Sequence, residues 1–222
     1  MCAPASKPRI GIISTSASQS LGFSEVIRKN GGRPFVIKSD KFHDGPIEHI
    51  AGLIVGELNK CGTWSYSKVT ELLMNAIHID MPVLCVSEGM HLLNIILGGK
   101  TPQQVDEHGL CEENGERISS FHHIFISPGS KLAAIVGSGG FVRVNSRHIN
   151  ALSESQKASS LLASAYSLKD GMIEALESPD HGWILGVQFR PEIRKEIPPH
   201  FDRLFQSLID RSGKFINPDK QE

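Results

Sequence analysis

The sequence has few cysteines, few aromatic side chains and no apolar run long enough to cross a membrane. Aromatic residues make up 6% of the 222 residues. The four cysteines are too sparse for the disulfide framework of a secreted domain, and their spacing fits no zinc site. The first eight residues lack the apolar segment of a secretory signal. We therefore expect a cytoplasmic protein with reduced thiols and no membrane partner.

The chain also lacks an excess of positive or negative charge. Lys and Arg number 23 against 24 Asp and Glu, which leaves a formal net charge of −1 and no basic run to bind nucleic acid. The length and the 40% hydrophobic content suit one α/β domain. We assign that domain to residues 9–212, between a disordered segment 1–8 and a polar tail 213–222.

The first half of the chain alternates apolar, β-branched runs with segments of helical periodicity. This alternation predicts a parallel sheet with helices on both faces. A helix ends at Asn30-Gly31-Gly32, another spans 69–79, and a short one contains His49. The predicted strands cover residues 9–14, 34–37, 52–56 and 82–86.

The second half contains short strand candidates separated by Gly, Ser and Asp turns. We expect the first three to form an antiparallel addition, and 184–189 to rejoin the main sheet because it is apolar throughout. A final helix is predicted over residues 201–209. The strand candidates are 121–126, 141–145, 160–166, 172–177 and 184–189.

The strand that ends at Val86 is followed at once by Ser87-Glu88-Gly89 and then by a helix. Such a sharp turn lifts one side chain above the sheet edge and aims the next backbone N–H groups at what lies there. The pattern is close to a nucleophile elbow, with Cys85 where a small Gly is usual. Many α/β proteins make a similar turn and do no chemistry there. The turn alone therefore fits both a catalytic elbow and a purely structural turn.

Four segments carry longer motifs. Residues 82–99 read PVLCVSEGMHLLNIILGG and resemble PVLGICRGMQLLNVALGG; residues 122–132 resemble HxVxxxPGSxLA. Residues 144–148 match VNSxH, while 170–177 and 185–192 resemble DGxxEAxE followed by LGVQWHPE. In this order the motifs are similar to those of the class I glutamine amidotransferases, in their γ-glutamyl-γ-aminobutyrate hydrolase (peptidase C26) branch. The resemblance runs from about residue 9 to about residue 209.

The resemblance implies a flavodoxin-like three-layer α/β/α domain with a small antiparallel β addition. It also implies hydrolysis of a γ-glutamyl amide by a Cys-His-Glu triad, with backbone N–H groups holding the oxyanion. Here Ser87 stands at the Cys position and Arg190 at the His position, while Glu192 matches the third member. The Arg after the nucleophile is Glu88, and the Gln one turn later is His91.

A fifth departure concerns the oxyanion donors. The implied donors are the backbone N–H groups of Glu88 and Glu57, the latter because Gly56-Glu57-Leu58 replaces the family's Pro-Gly-Gly loop. Losing a triad nucleophile or base costs on the order of 10⁴–10⁶ in kcat, and an arginine cannot serve as a base because it stays protonated. A single laboratory change of Cys to Ser would not account for Arg190. The triad is therefore predicted to be degenerate.

A surrogate base is the alternative. His91 lies one helical turn after Ser87, and His148 lies in a segment that lines the family's substrate pocket. The other interpretation is that each imidazole only fills space or bonds the backbone. His122 and His123 alternate along a strand and receive no role, and Cys85 is expected to be buried and inert.

The remaining polar residues are expected to converge at the C-terminal edge of the sheet, where open α/β folds bind ligands. Arg190 would bind an anion or, as we favour, pair with Glu192. Trp64 and Tyr66 could cover the cleft. The expected ligand-binding residues are Glu88, His91, Asn145, Ser146, His148 and Arg190.

Three hypotheses follow. The first is a non-catalytic or regulatory protein that binds a small γ-glutamyl, amide or carboxylate ligand; it requires a pair of Arg190 with Glu192 and an open pocket. The second is an amidohydrolase that needs an imidazole at the Ser87 hydroxyl. The third is a structural component of an enzyme complex with a filled pocket, acting with a partner protein or as a homo-oligomer. None of them calls for a metal or a cofactor.

Overall fold

The computed structural model describes residues 7–37, 46–58, 66–113 and 116–216. The first half alternates strands and helices as the periodicity predicts. The short predicted helix with His49 is a 3-10 turn, Pro46–His49. The elements are β1 Arg9–Ile13, α1 Ala17–Lys29, β2 Arg33–Val36, β3 Gly52–Val55, α2 Tyr66–His78, β4 Val83–Val86 and α3 Glu88–Ile96.

The second half is mainly strands, as predicted. Three short strands were not predicted, because Gln-Gln, Leu-Cys-Glu-Glu and Asn-Ala show neither alternation nor β-branched residues. The elements are β5 Gln103–Gln104, β6 Leu110–Glu113, β7 Glu116–Ile126, α4 Lys131–Val136, β8 Gly140–Ser146, β9 Asn150–Ala151, β10 Leu162–Ser167, β11 Ile173–Glu177, β12 Ile184–Val187 and α5 Asp202–Phe215.

The main sheet has the order β2-β1-β3-β4-β12-β11-β10-β7-β6, and β8 pairs with β7. Strands β2, β1, β3, β4 and β12 are parallel neighbours, so the strand after residue 183 does rejoin the parallel part. Strands β11, β10, β7, β6 and β8 pair antiparallel; β7, β8 and β10 are the predicted addition, and β6 and β11 extend it. This arrangement places the C-terminal ends of β4 and β12 side by side.

Helices cover both faces of the parallel strands. In β4, Leu84 and Val86 belong to a core shared with α1 and α5, whereas Val83 and Cys85 belong to a core shared with α2 and α3. Successive side chains of a strand point to opposite faces, so continuous apolar strands fit a sheet buried on both sides. The predicted flavodoxin-like three-layer fold is confirmed.

The ends of the chain fall mostly outside the described residues, which begin at residue 7 and end at residue 216. Helix α5 runs to Phe215, three residues beyond the domain boundary placed at 212. Within the described ranges, no helix combines the length and apolar character needed to cross a membrane.

Candidate functional site

The turn after β4 has the geometry of an elbow. Ser87 has φ 56° and ψ −118°, a conformation rarely adopted by a non-glycine residue, and its N–H donates to the carbonyl of Val187 at 2.8 Å. Helix α3 begins at the next residue. Gly89 is required for close approach, since a Cβ built there would lie 2.1 Å from the carbonyl oxygen of Val55. The strand, turn and helix predicted from the spacing are all present.

Arg190 is held in ion pairs rather than left free. Its Nε lies 2.9 Å from Oε1 of Glu192, and its terminal nitrogen lies 3.5 Å from Oε2 of Glu57. Gln19, which the sequence did not single out, donates from Nε2 to the same Glu192 oxygen at 3.0 Å. Burial raises the pKa of Glu192, and the charge of Arg190 offsets part of that rise. The guanidinium is thus neutralised inside the protein, and the favoured pairing with Glu192 is present.

The Ser87 hydroxyl interacts with a carboxylate instead of an imidazole. Its partner is Glu88, whose carboxylate also accepts from its own backbone N–H. Burial, and then the charge of Glu57, raises the pKa of Glu88 in spite of these hydrogen bonds. Among the residues that the structure describes, no hydrogen bond joins Ser87 to a histidine. The geometry therefore lacks the imidazole base that the surrogate-histidine hypothesis requires.

Both implied oxyanion donors are engaged within the protein. The N–H of Glu88 interacts with its own carboxylate, an interaction that lowers the pKa of Glu88 against the larger effect of burial. The N–H of Glu57 donates to Oε1 of Gln19 at 2.7 Å, and this oxygen also accepts from the Ser14 hydroxyl at 2.8 Å. An oxyanion hole requires donors directed at the developing charge, so these two N–H groups do not form one in this conformation.

Asn145 and Ser146, which we expected to bind ligand, have hydrogen-bond partners within the fold. The Asn145 side chain accepts from the Arg190 N–H at 2.8 Å and donates to the Arg190 carbonyl at 3.0 Å. The Ser146 hydroxyl donates to the His108 carbonyl at 2.7 Å. Both side chains are fully buried, and neither lines the cavity described next. Their direct ligand-binding role is not supported, because their polar atoms already have backbone partners.

A cavity of about 720 Å³ opens beside the elbow. Oε2 of Glu88 is buried and has no hydrogen-bond partner among the described residues. Tyr66 lines the opening as expected, whereas Trp64 lies outside the described residues. The lining residues are Thr15, Leu58, Tyr66, Val69, Glu88, His91, Ile95, Thr101, Pro102 and Asn150.

His91 lies in the wall of this cavity and is neutral near pH 7. Its Nε2 lies 2.7 Å from Oε1 of Gln188. Burial lowers the pKa of His91 to about 4, although the contact with Gln188 opposes that shift. The ring bonds Gln188 and not Ser87, so the imidazole is not placed as the surrogate base. Cys85 is fully buried and burial raises the pKa of its thiol, which makes it inert as expected.

A second polar group, which we call the histidine cluster, consists of His108, His122, His148 and Glu174. Nε2 of His122 lies 3.0 Å and Nε2 of His148 lies 3.7 Å from Oε1 of Glu174. The ring centroid of His108 lies 4.7 Å from that of His122 and 4.8 Å from that of His148. His148 is thus part of this cluster and does not face Ser87.

Sequence reasoning missed most of this cluster. It assigned His122 no role, included Glu174 only within a motif, and did not consider His108. A signal was available, since His122, His148 and Glu174 each fall in one of the four motif segments, whereas the segment around His108 carries none. Gln19 offered no sequence signal either, because its partner Glu192 is 173 residues away.

Comparisons with known proteins agree with the fold and the motifs. A family model described as Peptidase C26 matches residues 67–192, more than half of the chain. A protein of Schizosaccharomyces pombe, described as a candidate glutamine amidotransferase, is 34% identical over 140 residues, which are 62% of this chain and 53% of the relative. One of Mycobacterium tuberculosis with the same description is 30% identical over 154 residues, 68% of this chain and 46% of the relative. The chain thus spans about half the length of these curated relatives.

Solved structures show the same fold at low identity. A candidate GMP synthase component from Thermoplasma acidophilum superposes with a TM-score of 0.73 at 12% identity, covering 97% of this chain and 99% of its own. The glutaminase domain of Trypanosoma brucei CTP synthase, solved with bound acivicin, gives 0.71 at 16% identity, covering 93% and 94%.

Proposed function

Because this chain belongs to the Peptidase C26 family of the class I glutamine amidotransferase superfamily, we propose that it binds a small γ-glutamyl or other amide ligand without hydrolysing it. The ligand would occupy the cavity beside Ser87, with an N–H group directed at Glu88. The ligand-bound protein would then act on a partner protein or within a homo-oligomer. That choice depends on surfaces other than this cavity.

The state of the elbow argues against hydrolysis. The surrogate-histidine mechanism needs an imidazole at the Ser87 hydroxyl, and the neighbour there is the Glu88 carboxylate, which also interacts with one of the two implied oxyanion donors. The other donor is held by Gln19. Loss of a triad base alone costs on the order of 10⁴–10⁶ in kcat, and loss of an oxyanion donor about 10²–10³. Ordinary family chemistry is therefore not expected.

The unpartnered Oε2 of Glu88 carries the proposal. A buried carboxylate oxygen without a donor is costly, and an N–H group of a ligand would supply that donor. Among the described residues that line the cavity none is Lys or Arg, and Arg190 is paired with Glu192 and Glu57. The charge contributed by Glu88 is thus acidic, so the amide or amine nitrogen of a ligand fits at Glu88 better than a carboxylate group of that ligand.

The size of the cavity supports binding rather than a purely structural role. A structural component needs no open pocket, whereas about 720 Å³ lies within the range of small-molecule sites, roughly 300–1,000 Å³. The cavity wall is mostly apolar with a few polar groups, which is the usual pattern of a ligand site.

The test is calorimetric titration and thermal unfolding with a panel of γ-glutamyl amides, glutamine, short primary amines and short dicarboxylates. We expect one amide or amine to bind and to raise Tm, because a ligand of the folded state stabilises by RT ln(1 + [L]/Kd). Glu88→Gln should weaken that binding by about tenfold or more, the equivalent of a charge-assisted hydrogen bond. Ser87→Ala, the matched control, should change it by less than about threefold.

Release of ammonia or amine is measured in the same samples. Turnover that is present in the wild-type protein and lost in Ser87→Ala would make the protein a hydrolase and overturn the proposal. If only dicarboxylates bind, and Glu88→Gln does not change their affinity, then the ligand is recognised by a positively charged group. That outcome would reject the role assigned to Glu88.

A further inference from the structure

The histidine cluster lies behind the cavity wall, where four separate chain segments meet. His108 precedes β6, His122 lies on β7, His148 follows β8 and Glu174 lies on β11. One ring nitrogen each of His108 and His122 and one carboxylate oxygen of Glu174 lie within 4.8 Å of one another. The side chains of His108 and Glu174 are fully buried, and those of His122 and His148 are 9% and 4% exposed. Three imidazoles and a carboxylate are thus gathered away from solvent.

The hydrogen bonds fix where the lone pairs lie. Nδ1 of His148 is 3.0 Å from the carbonyl oxygen of Asn150, which can only accept, so Nδ1 carries the proton and Nε2 keeps a lone pair. That Nε2 faces the Glu174 carboxylate at 3.7 Å and has no hydrogen-bond partner among the described residues. In the neutral tautomer set by the contact with Asn150, the free lone pair of the ring is on Nε2.

Glu174 contributes a second unpartnered atom. Its Oε1 lies 3.0 Å from Nε2 of His122, whereas its Oε2 is buried without a partner in the described part of the chain. A buried imidazole lone pair and a buried carboxylate do not attract each other, and each costs free energy when it has no donor. A positive centre between them would satisfy both.

The outer contacts are those that orient metal-binding histidines. Nε2 of His108 lies 2.8 Å from Oδ2 of Asp170, and His148 donates to a backbone carbonyl. Metal-ligating histidines almost always donate their other ring N–H to a carboxylate or a carbonyl, which fixes the tautomer. His108 and His148 each have such a partner.

From this geometry we propose that the histidine cluster binds one divalent transition-metal ion of the zinc class through His122, His148 and Glu174, with His108 as the fourth ligand. Imidazole and carboxylate ligands suit zinc and its neighbours. A tetrahedral zinc site with bonds of about 2.05 Å has ligand atoms about 3.4 Å apart. The separations of 3.0 and 3.7 Å from Glu174 bracket that spacing, whereas the ligand atoms of His108, His122 and Glu174 lie within 4.8 Å of one another, so the side chains must draw together around the ion.

Four protein ligands leave no open coordination position, so the ion has a structural role. It ties β7, β8 and β11 to the segment before β6. The cavity adjoins this region, since Asn150 both lines the cavity and accepts from His148. The metal proposal does not depend on the ligand proposed for the cavity.

The first experiment strips the purified chain with a chelator, then titrates it with Zn²⁺ against a chromophoric competitor and with Co²⁺ by visible absorption. We expect one ion per chain, a Co²⁺ spectrum typical of tetrahedral nitrogen and oxygen ligation, and a higher Tm with Zn²⁺. Glu174→Gln, nearly isosteric, should weaken binding by more than about 100-fold, and Asp170→Asn by about 10–100-fold.

The controls separate this site from other metal ligands. His123→Ala removes the exposed neighbour of His122 and should leave binding unchanged, as should Cys111→Ser. If Glu174→Gln does not fold, Asp170→Asn at the partly exposed outer position still tests the site. No stoichiometric binding by the stripped wild-type chain, or equal binding in wild type, Glu174→Gln and Asp170→Asn, would overturn the proposal.

Discussion

The elbow region, made of Ser87, Glu88, Arg190 and Glu192, and the histidine cluster are both buried polar groups, but they differ in charge. Around the elbow, the cation Arg190 meets Glu57 and Glu192, and the atoms left unpartnered among the described residues are carboxylate oxygens. In the cluster, a neutral imidazole faces a carboxylate. The excess of carboxylate groups around the elbow favours a ligand that presents an N–H group. The imidazole and carboxylate groups of the histidine cluster together favour a metal ion.

The two regions also differ in their relation to the family pattern. Three of the four residues of the elbow region depart from it, whereas His122, His148 and Glu174 match the motif segments. The departures place Ser and Arg where the resemblance implies the nucleophile and the base, and Arg190 forms an internal ion pair. Among the retained residues, His148 and Glu174 each keep a buried polar atom without a hydrogen-bond partner in the described part of the chain. Loss of the triad therefore need not have removed the binding chemistry of the surrounding pocket.

The largest predicted change in stability concerns Arg190, and it tests whether the elbow region contains a buried ion pair. Arg190→Met leaves Glu192, with a side chain that is 2% exposed, without its cation. We expect the free energy of unfolding to fall by about 3–5 kcal/mol, measured by urea denaturation near pH 7, because breaking a buried ion pair strands a charge. The double variant Arg190→Met/Glu192→Gln should recover most of the loss. A single-variant loss below about 1 kcal/mol would show that the pair behaves as an exposed one.

An intermediate effect concerns acid sensitivity at the cavity wall. The pKa of His91 is about 4 in the folded protein and about 6.5 when unfolded, so between these values the unfolded chain binds the extra proton. Stability contributed by neutral His91 is thus complete above about pH 6.5 and is lost as pH falls toward 4, by about 3 kcal/mol at most. Burial raises the pKa of Glu88 and Glu192, and that contribution runs in the opposite direction.

His91→Gln isolates the histidine contribution. We expect the variant to lose less stability than the wild type between pH 6.5 and 4, measured as unfolding free energy at several pH values. His123→Ala, which removes an exposed ring, is the matched control. Parallel curves for wild type and His91→Gln would contradict the assignment.

The smallest effect tests whether the elbow still stores strain. Ser87→Gly should raise the unfolding free energy by about 1 kcal/mol, because relief of a positive φ outweighs the added entropy of glycine. Ser120→Gly, in the extended strand β7, should instead destabilise the protein. A loss of stability in Ser87→Gly would mean that the serine side chain contributes more than its backbone costs.

Local sequence was enough to predict the layers of the fold, and the resemblance to the family motifs was enough to predict a degenerate triad. Alternating apolar runs predicted the parallel strands, and the turn at Ser87 followed from its neighbours in the chain, because both depend on local periodicity and backbone preference. That Arg190 cannot act as a base followed from residue type alone. Its pairing with Glu192, two residues away, was also within reach of that reasoning.

Which polar atoms are left without partners depended instead on how distant segments pack. Gln19 reaches Glu192 across 173 positions, and His108 reaches Asp170 across 62, so no local pattern encodes either contact. The same long-range packing turned Asn145 toward the Arg190 backbone and gathered three histidines around Glu174. Whether a buried polar atom is satisfied depends on the positions of all its neighbours, which the folded chain alone determines.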